Sequence, residues 1–282
     1  MILFDGGRFD EERAFYGEEN VIVRGIAIDG PADGESAFKE CRDVYASGCY
    51  FNLRYPFWHD KRVRIRDSQM TEKCRAALWY TEDVQISSTK LHGIKALREC
   101  KDVRIKGCDI ISAEFGWMSK DVTVSDSRAE GEYFMFRGET LDFKDFDFKG
   151  KYSFQYIKNA TFENCRLDTK DAFWHAENVT VKNSLVKGEY LAWYSKNLTL
   201  ENCKIIGTQP FCYCEGLKLI NCEMEACDLA FEKSYVEAEV TTRIDSVKNP
   251  LGGYIEAPSV GELIMDDDNS KCDIRIFENS AL

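Results

Sequence analysis

Five segments decide the fold: KDVRIKGCDI (101–110), NATFENCRL (159–167), NVTVKNSLV (178–186), NLTLENCKI (197–205) and GLKLINCEM (216–224). Each carries an aliphatic or small anchor, a second apolar residue two positions on, and often Asn followed by Cys or Ser. Tracing the anchor in both directions gives Val21, Val44, Val63, Val84, Val103, Val122, Leu141, Ala160, Val179, Leu198, Leu217 and Val236. From Val84 onward every interval is 19 residues, and the first three are 23, 19 and 21.

Self-similarity at a fixed short period is the signature of a solenoid. Reading columns instead of rows shows what each position does. Two residues after the anchor lie Ile65, Ile86, Ile105, Val124, Phe143, Phe162, Val181, Leu200 and Leu219. Seven after it lie Phe51, Met70, Leu91, Ile110, Phe148, Leu167, Val186, Ile205 and Met224. Phe38, Phe57, Leu78, Leu97, Met135, Phe154, Phe173 and Phe211 form a third apolar column. The apolar positions alternate with polar ones at period two, as short strands require and an amphipathic helix does not. A single repeat cannot bury its own apolar side, so the units must stack. The expected fold is therefore all-β. It is one right-handed parallel β-helix of about 12 coils. Residues 1–282 read as a single domain, with 1–20 an N-terminal cap, 21–240 the coils and 241–282 a C-terminal cap or final irregular coils.

Two ladders are expected at the corners. Asn164, Asn183, Asn202 and Asn221 share one column, where stacked amides can satisfy one another. Cys49, Cys108, Cys165, Cys203 and Cys222, interleaved with Ser68, Ser127 and Ser184, mark a small inward position. Charges alternate along Lys90, Asp109, Arg128, Asp147 and Arg166, and along Lys144, Glu163, Lys182 and Glu201.

A net charge of −12 disfavours partners that attract basic surfaces, so neither nucleic acid nor anionic membrane is expected as a partner. No basic region followed by an apolar run opens the chain, and no stretch approaches a membrane span. The 12 cysteines are then expected to be reduced thiols in a cytoplasm.

One face stands out. All five tryptophans, Trp58, Trp79, Trp117, Trp174 and Trp193, occupy one column, joined by Phe136 and Phe231. The next column holds His59, Tyr80, Met118, Arg137, Tyr156, His175, Tyr194, Tyr213 and Glu232. This third side is apolar or aromatic at both parities, and a strand apolar on both faces is normally covered on both. With the tryptophans directed outward, the cover would be the chain's own tail, a second subunit or a ligand. Aromatic platforms suit sugar rings, and a broad apolar sheet equally suits a dimer.

His175 is the best acid–base candidate, with Tyr156 and Tyr194 in adjacent coils and Asp171 nearby, the parts a lyase would use. Asp126 and Asp145, with Asp142 and Asp147, offer a carboxylate cluster partly compensated by Arg128 and Arg166. Cys212, Cys214, Cys222 and Cys227 lack the spacing of zinc knuckles, and Asp266–Asp268 reads as a turn before it reads as a calcium loop. No metal or cofactor is expected. The Asn-x-Thr triplets at Asn159, Asn178 and Asn197 are by-products of the repeat.

These residues resemble the pectin-lyase-like superfamily of right-handed β-helices. With the opening MILFDGGRF and YGEENVIVRG, the repeats more closely resemble a microbial β-helix family of unknown function, over essentially the whole chain. The resemblance implies the fold and leaves activity open. Polygalacturonase-like members of the superfamily use clustered Asp residues, Gly-His-Gly and Arg-Ile-Lys. Only Arg104-Ile105-Lys106 matches, and it falls on a strand anchor. The expected function is a non-catalytic binding or self-association scaffold acting through the Trp/Tyr/His face. The alternative is a carbohydrate-binding or lyase-like protein acting through the same face.

Overall fold

The computed structural model describes residues 1–30 and 36–277. Every regular element among them is a strand. The chain is a parallel β-solenoid of about 14 turns with 19-residue spacing. It divides into two compact units, Met1–Asp142 and Phe143–Leu282.

In the first unit, strands Ile2–Asp5, Glu19–Arg24, Arg42–Ser47, Lys61–Arg66, Glu82–Ser87 and Lys101–Lys106 stack in parallel, in the register of the anchors. Val21 faces Val44, Val44 faces Val63, and Val84 faces Val103. A second side is built from Arg8–Phe9, Ala27–Ile28, Tyr50–Phe51, Gln69–Met70, Lys90–His92 and Asp109–Ile111. In the second unit the first side runs through Lys158–Glu163, Glu177–Lys182, Lys196–Glu201, Leu217–Glu225, Tyr235–Val240, Gly252–Ala257 and Asp273–Ile276. The regions expected as caps also carry strands of the first side, Ile2–Asp5 at one end and Gly252–Ala257 and Asp273–Ile276 at the other. Ile2 already faces Val21, and Ile255 faces Ile274, so both regions continue the winding.

Side chains 19 apart touch, and the core follows from that. Phe143 stacks on Phe162 with centroids 5.0 Å apart, and Phe154 on Phe173 at 5.3 Å. In the first unit Phe38 stacks on Phe57 at 5.1 Å. Ladder charges pair as expected: Lys182 with Glu201 at 3.0 Å, and Arg128 with Asp109 at 2.7 Å. Exposed pairs of this kind contribute well under about 1 kcal/mol each. Their main effect is to avoid like-charge stacking.

The corners obey one rule, which the residue types only half reveal. Asn164, Asn183, Asn202 and Asn221 all have φ between 49° and 54°, and in the first unit Gly25, Gly48, Asp67, Ser88, Gly107 and Asp126 take the same role. This left-handed conformation favours Gly, Asn and Asp, and it explains the column better than amide pairing alone. The amides do pair: Asn221 Nδ2 donates to Asn202 Oδ1 at 2.7 Å. Asp126 and Asp145 are therefore corner residues. Asp126 pairs with Lys106, and Asp145 accepts from Asn164 Nδ2.

All 12 cysteines are buried and free. Ladder thiols donate to carbonyls of the preceding coil, as Cys222 Sγ does to Leu200 O at 3.4 Å. Burial pushes the Cys100 and Cys227 thiols up to about 12. Such thiols are poor nucleophiles. The native protein should therefore leave Ellman's reagent uncoloured for hours and titrate all 12 thiols once denatured. Rapid native reaction of several thiols would contradict this packing.

Candidate functional site

The third side is where the backbone departs from a sheet. In the first unit short strands Phe57–Trp58, Leu78–Trp79 and Leu97–Arg98 stack in register, extended by a bridge from Arg98 to Trp117. In the second unit the corresponding segments around 152–157, 171–176, 188–195 and 207–214 are turns. Alternate residues there are left-handed: Tyr152, Phe154 and Tyr156 at φ 56°, 57° and 58°, then Asp171, Phe173 and His175 at 54°, 60° and 53°. Tyr190, Ala192 and Tyr194, then Gln209, Phe211 and Tyr213, repeat the pattern. The period-two signal on this side thus comes from alternating turn conformations in place of a strand pleat.

Bulky residues in this conformation cost roughly 1 kcal/mol each. Ring stacking offsets that cost, at about 0.5–1.5 kcal/mol per aromatic pair. Tyr156, His175, Tyr194 and Tyr213 form one continuous stack with centroids 4.7, 5.0 and 4.8 Å apart and interplanar angles of 13°, 8° and 10°. Beside it Trp174 and Trp193 stack at 5.4 Å and 4°. Their indole nitrogens donate to the next coil, Trp174 Nε1 to Tyr190 O at 2.7 Å and Trp193 Nε1 to Gln209 O at 2.8 Å. The tryptophans are half-buried, while Tyr156, His175 and Tyr194 are exposed. Burial and the nearby Glu232 carboxylate raise the Tyr213 phenol.

In the first unit His59 stacks on Tyr80 at 4.8 Å, and Trp58 on Trp79 at 6.0 Å. The Arg98 guanidinium lies 5.4 Å from the Trp79 ring and 5.3 Å from that of Trp117. Lys39 caps Trp58 at 4.7 Å. Arg137 is exposed, with its guanidinium over Phe136.

Two column assignments change. Phe231 stacks on Phe211 and is fully buried, so it belongs to the inward column. The interval from Phe211 is 20, and one extra residue moves it by one position. Gln155, which shares the tryptophan column expected to point outward, is 8% exposed and donates Nε2 to Asp171 O at 2.9 Å.

Asp171 is buried, and burial raises its carboxyl. It occupies the position of Tyr152 and Tyr190, and among the described residues no hydrogen bond or ion pair joins it to His175. The stack brings Tyr156, His175 and Tyr194 together as a unit and leaves Asp171 outside it. Arg104-Ile105-Lys106 is an ordinary strand segment, with Ile105 buried and both cations exposed.

In the first unit His92 joins the Asp109–Arg128 ladder pair, a neighbour the charge columns did not show. His92 Nε2 lies 3.3 Å from Asp109 Oδ2, and Arg128 Nε donates to Asp109 Oδ1 at 2.7 Å. The Arg128 guanidinium, more than His92, holds the Asp109 carboxyl below its ordinary range. His92 stands in a column with Thr71 and Ile111, so no residue-type pattern flagged it.

The stack's identity is not something the turns demand, since Asn suits their conformation better than Tyr. Tyr194→Asn should therefore cost no more than about 2 kcal/mol, two stacked pairs lost against recovered backbone cost. A denaturation midpoint moved by several kcal/mol would make the ladder a structural element.

No curated protein matches the chain. Among solved structures, a variant of the periplasmic alginate epimerase AlgG is 10% identical at TM-score 0.30, covering 93% of this chain and 78% of its own. The catalytic domain of a GH87 alpha-1,3-glucanase is 9% identical at 0.26, covering 99% and 64%. The A-module of mannuronan C-5 epimerase AlgE4 from Azotobacter vinelandii is 11% identical at 0.21, covering 85% and 78%. The family of proteins of unknown function DUF3737 has a model that matches residues 3–277, and the chain belongs to that family.

Proposed function

We propose that the protein is a non-catalytic binding scaffold whose contact surface is the rim of the Tyr156–His175–Tyr194–Tyr213 stack, and that its foremost partner is a second copy. The observation that carries this reading is the stacking itself. A sugar ring packs against an exposed aromatic face. Here the faces are turned toward one another at 4.7–5.0 Å, and the edges remain outward. Tyr hydroxyls and imidazole nitrogens both donate and accept, so such a rim is self-complementary under a two-fold axis. The one carboxylate beside the stack, that of Glu232 next to Tyr213, is paired with Lys248 at 3.0 Å, which limits repulsion between two copies of a chain of net charge −12.

Sedimentation velocity of the wild type and of His175→Ala with Tyr194→Ala tests this. A dimer in the wild type that the double variant loses, with unchanged circular dichroism, supports it. A wild-type monomer whose tryptophan fluorescence is quenched by neutral or uronate oligosaccharides overturns it in favour of a carbohydrate-binding face.

A further inference from the structure

Strand edges that a solenoid leaves unpaired are sites for further pairing. The outermost strands at the two ends of the described chain are Ile2–Asp5 and Asp273–Ile276, each four residues long. Among the described residues each pairs on one side only, Ile2–Asp5 with Glu19–Arg24 and Asp273–Ile276 with Gly252–Ala257.

The two edges match in register, parity and charge. Ile274 continues the inward column of Ala238 and Ile255, and Phe4 belongs to the same inward column through Val23. Cys272 and Ile2 stand one coil from the anchor residues Gly253 and Val21. One further 19-residue step past Asp273–Ile276 would therefore set Ile2 over Cys272, Phe4 over Ile274 and Asp5 over Arg275. Arg275 follows Glu239 and Glu256 in its outward column; its Nε donates to Asp273 Oδ2 at 2.7 Å, and its remaining guanidinium donors can take a carboxylate from the next coil. Asp5 is exposed and has no ion pair among the described residues. Inward-parity apolar groups are uncovered at the carboxyl end, with Ile276 at 55% and Leu263 at 47% exposed.

We propose that copies of this chain add head to tail, with Asp273–Ile276 of one copy pairing in parallel with Ile2–Asp5 of the next, so that the winding continues from copy to copy. The partner is a second copy because the register, the inward apolar column and the Arg275–Asp5 pair all continue the chain's own ladders. Such a contact joins two different surfaces and does not close on itself, so it propagates. It is independent of the aromatic stack.

The test uses the full 282-residue chain with no added residues at either end, followed by sedimentation velocity across a concentration series and by electron microscopy. The weight-average mass should rise without reaching a plateau, and open-ended assemblies should appear. Asp5→Arg, which opposes two cations, should weaken association at least about tenfold, and so should Arg275→Asp. Combining the two should restore association to within about threefold of wild type. His175→Ala with Tyr194→Ala should leave axial growth intact, which separates this contact from the lateral one. A monomer at every concentration, a plateau at dimer, or a double charge reversal no better than the single ones overturns the proposal.

Discussion

Gly207→Ala should destabilise the protein by more than about 3 kcal/mol, and circular dichroism should show a lowered melting temperature or an unfolded chain. Gly207 has φ 132°, and a Cβ built on it would lie 2.0 Å from the carbonyl oxygen of Gly188, one coil below. Gly188 repeats the arrangement at φ 155°, its Cβ 2.0 Å from Thr169 O. The obstacle is backbone in both cases, and that backbone is held: Gly188 N donates to Ile206 O at 2.8 Å. Relief would require separating coils along the winding axis, which breaks the inter-coil hydrogen bonds on either side. Gly25→Ala is the control. Gly25 is a corner residue at φ 56° with nothing within 4 Å of its Cβ, so it bears only the left-handed cost of about 1 kcal/mol. Equal losses at the two positions would mean that backbone conformation, and not the close approach of coils, sets the effect.

The repeat was legible because stacking makes residues 19 apart neighbours, so each column meets one environment and keeps one residue type. Val103, Val122 and Val84 are interchangeable for that reason. Legibility failed where conformation and residue type disagree. Phe173, Tyr194 and Phe211 carry strong strand preference yet sit in left-handed turns, where Phe173 stacks on Phe154, Tyr194 between His175 and Tyr213, and Phe211 on Phe231. Tertiary stacking overrides local propensity on that side, and no local reading of Phe-Trp-His predicts it. Phe231 failed for a different reason: one inserted residue shifts a column, and period counting alone does not locate the insertion. The aromatic face was visible as a cluster of types, but its chemistry depends on ring orientation. A row of Trp, Tyr and His has the same letters whether the rings present faces or edges.

The second large effect concerns Asp60, which lies three residues before the anchor Val63 in a further buried column. Its neighbours in that column are Cys41, Thr81, Cys100 and Ser119, all small and able to donate to a carbonyl of the preceding coil, as Thr81 Oγ1 does to Phe57 O at 3.1 Å. Asp60 is completely buried; its Oδ1 accepts from Cys41 N at 2.8 Å, and its Oδ2 has no partner. Burial, opposed by the Cys41 amide, pushes its carboxyl up to about 9. The acid is therefore protonated in the native protein at neutral pH and ionised in the unfolded chain, whose carboxyl titrates near 3.8. Between those two values the native state binds the extra proton, so stability falls as pH rises through the window and levels off above about 9. At pH 7 the cost approaches about 4 kcal/mol, three units at about 1.4 kcal/mol each. Asp60→Asn keeps an oxygen for the Cys41 amide, adds an N–H for the column's carbonyl and never ionises. It should stabilise the protein by about 2–4 kcal/mol at pH 7 and by nearly nothing at pH 4. Comparing the two proteins by urea denaturation from pH 4 to pH 9 removes the contribution of every other titrating group. A difference that stays flat across that range, or an Asn variant less stable at pH 7, would show that Asp60 is ionised in the fold and that its buried oxygen has found another partner.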